Sequence, residues 1–201
     1  MANYNIYFSP TGGTWKVADV LVRNLWGEYA NIDLCKEVSP LSLSGDDVCL
    51  VSVPSYGGRV PAIALERLQR IKGNGARAVL NCVYGNREWE DTLTELQDTL
   101  EALGFRCVAA VAAVAEHSVF RQYATGRPDA DDKTQLAAFS KQIQERLDEM
   151  SVQTLICREA TEPTRSLTAL RSSQWQIMIV PVAACAQGSV PLVPLMRPIP
   201  K

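Results

Sequence analysis

This 201-residue chain lacks strong charge of either sign, closely paired cysteines and any long apolar run. Twenty Lys and Arg against 22 Asp and Glu leave a formal charge of -2, so there is no basic footprint of the kind a nucleic-acid partner needs. The six cysteines, Cys35, Cys49, Cys82, Cys107, Cys157 and Cys185, stand far apart, and no C-x-x-C pair suggests zinc or an iron-sulfur cluster. Cys49, Cys82 and Cys107 fall inside apolar runs, where a free thiol behaves as a small buried hydrophobe. No stretch reaches the roughly 20 apolar residues of a membrane span. The amino end lacks the basic-then-apolar profile of a signal peptide, so the expected location is the cytoplasm. Histidine is almost absent: His117, in Ala115-Glu116-His117-Ser118, is the sole imidazole and a weak candidate for proton transfer.

What is present is a turn rich in hydroxyls. Ser9, Pro10, Thr11, Gly12, Gly13 and Thr14 lie between an apolar segment, Ile6 to Phe8, and a helix-patterned run beginning at Trp15. A helix starting there points unpaired N-H groups and its positive dipole end into the turn, which suits an anion. A magnesium-triphosphate loop would require Gly-Lys-Ser/Thr, but Trp15 stands between Thr14 and Lys16. The dinucleotide fingerprint would need glycines at positions one, three and six, a spacing that Gly12 and Gly13 do not supply. What remains is a cradle of neutral donors suited to one terminal phosphate. Ser, Thr and Gly are also ordinary residues of helix starts and turns, so this segment alone leaves both readings open.

Apolar runs alternate with segments of helical period. Strands are expected at 6–8, 32–35, 48–53, 78–84 and 107–114, and helices at 15–29, 61–71, 89–103 and 129–150. The strands are continuously apolar, as when helices cover both sheet faces, and a doubly wound parallel α/β sheet follows. Trp89, Leu93, Leu96, Leu100 and Leu103 read as one helical stripe ended by Gly104, which makes Trp89 a core residue.

Three strings resemble the flavodoxin-like family that binds flavin mononucleotide (FMN): Phe8 to Thr14, Tyr56-Gly57-Gly58-Arg59-Val60-Pro61, and Tyr84-Gly85-Asn86-Arg87. The resemblance spans roughly residues 3 to 150 and implies a five-stranded parallel sheet of order 2-1-3-4-5, with FMN at the carboxyl ends of its strands. The last two strings, together with Glu116-His117-Ser118, are similar to a bacterial and archaeal branch in which a ferredoxin domain follows the flavodoxin-like one. Residues 151–201 hold no cluster-binding cysteine motif.

A flavin needs an anionic cradle, aromatic or apolar faces and hydrogen bonds to its ring edge. Ser9, Pro10, Thr11, Gly12, Gly13 and Thr14 are the phosphate candidates. Pro54, Ser55, Tyr56, Gly57, Gly58 and Arg59, with Tyr84, Gly85, Asn86 and Arg87, are the ring candidates. Tyr56 or Tyr84 would cover the ring, favouring its oxidised form. Arg59 and Arg87 would flank the ligand or simply solvate the surface. By resemblance alone, the Gly57-Gly58 peptide would turn over on flavin reduction.

Residues 1–150 are therefore expected to form the FMN-binding domain and 151–201 an irregular, apolar, proline-rich extension. The extension holds six of the eleven prolines, and beyond Arg171 its only charges are Arg197 and Lys201. One short strand is expected within it, at 176–180. The missing cluster cysteines also admit a stretch translated out of register. The expected function is electron transfer through FMN, either as a carrier serving a redox partner protein or as a reductase linked to NAD(P)H or quinones. The alternative is a flavodoxin-shaped scaffold that binds a partner without cofactor.

Overall fold

The computed structural model describes residues 1–148 and 176–178. Along the chain come β1 (Asn3–Tyr7), α1 (Gly13–Leu25), β2 (Ala30–Asp33), β3 (Leu41–Ser42), β4 (Val48–Pro54), α2 (Ala62–Leu68), β5 (Ile71–Lys72), β6 (Arg77–Tyr84), α3 (Thr92–Ala102), β7 (Arg106–Val114), α4 (Ala130–Asp148) and β8 (Gln176–Met178). Among the described residues the main sheet has the order β2-β1-β4-β6-β7-β8. With the two-residue pair β3 and β5 set aside, the first five strands stand in the expected order 2-1-3-4-5, all parallel.

Burial explains the strands. Every residue of β4 is buried, and so is every residue of β6 and β7 except the first. Such strands leave no polar face and accept helices on both sides. The chain steps from β1 outward to β2, then crosses back and steps the other way through β4, β6 and β7. Right-handed crossovers in opposite directions place α1 on one face and α2 and α3 on the other. α4 returns to the face of α1, where the Ser140 hydroxyl donates to the Leu21 carbonyl at 3.3 Å. Val17, Ala18, Leu21 and Val22 of α1 are fully buried there. The buried thiols Cys49, Cys82 and Cys107 lie in this core, and burial pushes Cys49 up to about 12.

The structure corrects two local expectations. Trp89 does not belong to a helix, because α3 begins at Thr92, and Trp89 instead packs half-buried in the preceding loop. Ile71 leaves the helical run to pair with Leu41 in the small ladder. At the carboxyl side, β8 pairs antiparallel with β7, Gln176 opposite Ala112 and Met178 opposite Ala110. The expectations for the rest of 149–201 lie outside the described residues. Among the described residues no helix is long and apolar enough to cross a membrane, and no acidic, histidine or cysteine cluster could hold a metal.

The direction of winding reverses between β1 and β4, which opens a crevice at their carboxyl ends. Ladder hydrogen bonds continue past the strand ends and gather the loops there. Phe8 N-H donates to Ser52 O at 3.0 Å, Ser55 N-H to Val83 O at 2.9 Å, and Ala115 N-H to Tyr84 O at 3.0 Å.

Candidate functional site

A cavity of about 490 Å³ occupies that crevice, within the roughly 300–1,000 Å³ range of small-molecule sites. Together with the carboxyl ends of β4 and β6, the loops after β1, β4, β6 and β7 each supply part of its wall. From the first come Pro10, Thr11, Gly13 and Thr14, and from the second Pro54, Ser55, Tyr56 and Gly57. The third gives Val83, Tyr84 and Gly85, and the fourth runs from Ala115 to Val119.

At the first wall the chain turns through Gly12, whose φ of +85° suits a residue without a side chain. Lys16 N-H then donates to Gly12 O at 3.0 Å, the first bond of α1. Trp15 N-H is taken by the Ser9 hydroxyl at 2.9 Å. Among the described residues, the N-H groups of Thr11, Gly13 and Thr14 have no partner, nor do the Thr11 and Thr14 hydroxyls. Thr14 is only 4% exposed, yet its hydroxyl is not engaged by the protein. Orphan donors at a helix start, facing a cavity without lysine or arginine in its lining, form a neutral anion cradle.

The second wall is a tight hairpin. Tyr56 and Arg59 exchange backbone hydrogen bonds of 3.0 and 3.3 Å around Gly57 and Gly58, which have φ of +60° and +80°. Positive φ at both central residues matches a type I′ turn. Tyr56 is 45% exposed at the rim. The Ser55 hydroxyl accepts from Thr92 at 2.9 Å, and Glu95 of α3 anchors the hairpin from outside. Arg59 donates from Nε at 3.1 Å and from its terminal nitrogen at 2.5 Å, while Val60 N-H donates to the same carboxylate at 2.7 Å. These contacts, Arg59 foremost, hold the Glu95 carboxyl below its ordinary value.

In the third wall Tyr84 is 7% exposed, its ring edge-on to Trp89 with centroids 5.2 Å apart. Burial pushes its hydroxyl up to about 12. The fourth wall carries His117, whose Nδ1 accepts from Val119 N-H at 3.2 Å and from Phe120 N-H at 3.0 Å. The neighbouring Glu116 carboxylate is turned to its own loop, accepting from Gly126 N-H at 2.8 Å.

Comparison with solved structures settles the architecture. An NADH:FMN oxidoreductase in its apo form superposes with a TM-score of 0.53 at 16% identity, covering 77% of this chain and 95% of that one. A flavodoxin of Streptococcus pneumoniae TIGR4 gives 0.50 at 17% identity, covering 73% and 99%. Oxidised flavodoxin 1 from Bacillus cereus gives 0.50 at 13% identity, covering 75% and 100%. The fold is flavodoxin-like. No protein-family model matches the chain, and no curated protein matches it by sequence.

Within this flavodoxin-like fold the expected residues divide. Pro10, Thr11, Gly13, Thr14, Pro54, Ser55, Tyr56, Gly57, Tyr84, Gly85 and His117 line the cavity together. Ser9 and Gly12 shape the turn from behind the lining. Gly58, Arg59, Asn86 and Arg87 do not line it. Arg59 is drawn to Glu95, and Arg87 pairs with Glu90, so neither guanidinium is held toward the crevice. Gly58 backs onto the Glu90 side chain. Val83, Ala115, Glu116, Ser118 and Val119 complete the wall and are not site candidates from the sequence. The apolar run Cys107 to Val114 leads directly into the last of these, and the sole histidine, His117, is the signal in the sequence that could have marked that loop.

Proposed function

We propose that this cavity binds FMN and that the protein transfers electrons through it, with residues 1–150 forming the FMN-binding unit. The observation that carries the reading is the set of unpartnered donors at the start of α1, opening into a crevice at the reversal of the sheet. The fit rests on the residues present. Thr11 and Thr14 offer two hydroxyls, and Thr11, Gly13 and Thr14 offer three N-H groups without partners, enough for a terminal phosphate without a cation. Ser9 supports the cradle by occupying Trp15 N-H, so it acts on the turn rather than on the ligand.

FMN, once bound, supplies one- or two-electron chemistry that the side chains lack. The protein orients and encloses it. Tyr56 stands at the rim as the aromatic available to a ring face, while Tyr84, pinned by Trp89, forms a fixed apolar wall. Ser55, tied to Thr92, fixes where the hairpin begins. Val83 and Ala115, both buried, add apolar surface that excludes water.

Titration of the purified protein with FMN, followed by quenching of flavin fluorescence, tests the reading. Stoichiometric binding is expected, and absence of binding rejects it. Thr11→Ala is expected to weaken FMN by about 1–3 kcal/mol, the loss of a donor to a charged acceptor. Steady-state turnover of the loaded protein with NADH, NADPH and quinones distinguishes a reductase from a carrier, which needs a partner protein to turn over.

A further inference from the structure

We infer that His117 is a ligand-binding residue of this cavity, a neutral imidazole that presents its Nε2-H to an oxygen of the bound molecule. The inference rests on the FMN reading and assigns a role to a lining side chain with a fixed proton and no acceptor among the described residues. Val119 N-H at 3.2 Å and Phe120 N-H at 3.0 Å both point at Nδ1. Its lone pair is therefore committed, and the hydrogen-bond network places the ring proton on Nε2. Among the described residues Nε2 has no partner.

The ring is also held in place. Its Cδ2 edge lies so close to Gly85 that a Cβ added there would stand 2.5 Å from Cδ2. Phe120 and Tyr123 flank it, with centroids at 5.3 and 6.5 Å. The loop that carries it is closed on itself, His117 N-H donating to Tyr123 O at 3.1 Å and Glu116 N-H to Arg127 O at 3.2 Å. A side chain clamped at one nitrogen, with the other a free donor on a ring that lines a ligand-sized cavity, is preorganised for recognition, because its ordering is complete before the ligand arrives. The oxygens available on a flavin pyrimidine edge or a ribityl chain are acceptors of that kind.

Two substitutions separate ligand contact from loop support. His117→Asn keeps an acceptor where Nδ1 stands but ends one atom short of Nε2. His117→Gln reaches the Nε2 position but offers nothing to Val119 and Phe120. With contact to the ligand, Asn weakens FMN about tenfold while the melting temperature of the ligand-free protein stays near wild type. Gln then binds FMN more tightly than Asn yet melts lower. The reverse order of affinities, or wild-type affinity in Asn, overturns the inference and leaves the FMN reading standing. Failure of the wild-type protein to bind FMN removes both. Long-range nitrogen-proton correlation spectra of the imidazole in the unsubstituted, ligand-free protein supply a check that needs no variant. Protonation on Nε2 is expected there, and a ring protonated on Nδ1 overturns the inference whatever FMN does.

Discussion

At the scale of single residues, the same substitution at two glycines of the crevice tests two different physical requirements. Gly12 needs its backbone, with φ at +85° and nothing within 4 Å of an added Cβ. Gly12→Ala therefore costs conformational strain alone, about 1–2 kcal/mol for a left-handed residue. Gly85 needs its missing side chain, since the nearest His117 atom would lie 2.5 Å from a new Cβ. Gly85→Ala forces the imidazole aside, an overpacking of about 1–3 kcal/mol, and this displacement reaches the ligand wall. Urea denaturation of the two variants reads the stabilities, and FMN titration reads the difference between them. Gly85→Ala is expected to lose more affinity per unit of lost stability, and equal losses would show that the His117 position is immaterial to binding. The sequence marks both glycines as site candidates, but it carries the reason for only one of them. The reason for Gly12 is local and readable from a strand-turn-helix pattern. The reason for Gly85 lies 32 positions away, in the ring of His117.

At the scale of elements, the hairpin after β4 keeps its place through a carboxylate on α3. Glu95 receives Arg59 twice and Val60 N-H once, and these bonds stabilise its charged form, Arg59 first. The folded-state value therefore lies below the unfolded one of about 4.3. Stability from this contact is fully present above the unfolded value and is lost as pH falls through the folded value. Glu95→Gln should be less stable than wild type at neutral pH, and the gap should close as the medium becomes acidic. Chemical denaturation across that range measures it, and a gap independent of pH would show that the charge of Glu95 contributes nothing. This contact also fixes the direction of Arg59, which the sequence leaves open between the crevice and the surface. Its partner comes from a helix 36 residues on, and the pull of a partly buried carboxylate decides where a long cation points. Trp89 shows the same limit. Its spacing fits the stripe of α3, yet the helix starts only at Thr92, and the ring turns to meet Tyr84 instead. The sheet was far more legible, because β4, β6 and β7 are buried on both faces and their apolar runs carry that fact without long-range information.

At the scale of the whole molecule, four loops from strands spread across the sheet meet only in the folded chain, so a ligand held by all of them must be linked to global stability. The cradle begins at residue 10 and the last wall ends at residue 119; unfolding scatters these donors. A ligand that binds the native state alone stabilises it by an amount set by concentration over dissociation constant, about 2.7 kcal/mol at a hundredfold excess. Heating the protein with increasing FMN should raise its melting temperature steadily, without saturating once the site is full, because mass action continues to grow with free ligand. Riboflavin, which lacks the phosphate, is the control that locates the effect. The donors of Thr11, Gly13 and Thr14 would then have no anion to meet, so riboflavin should require a much higher concentration for the same shift. Equal shifts from riboflavin and FMN would place the binding energy in the ring walls rather than at the start of α1. No shift from either would mean that the crevice, although built at the reversal of the sheet, does not take a flavin.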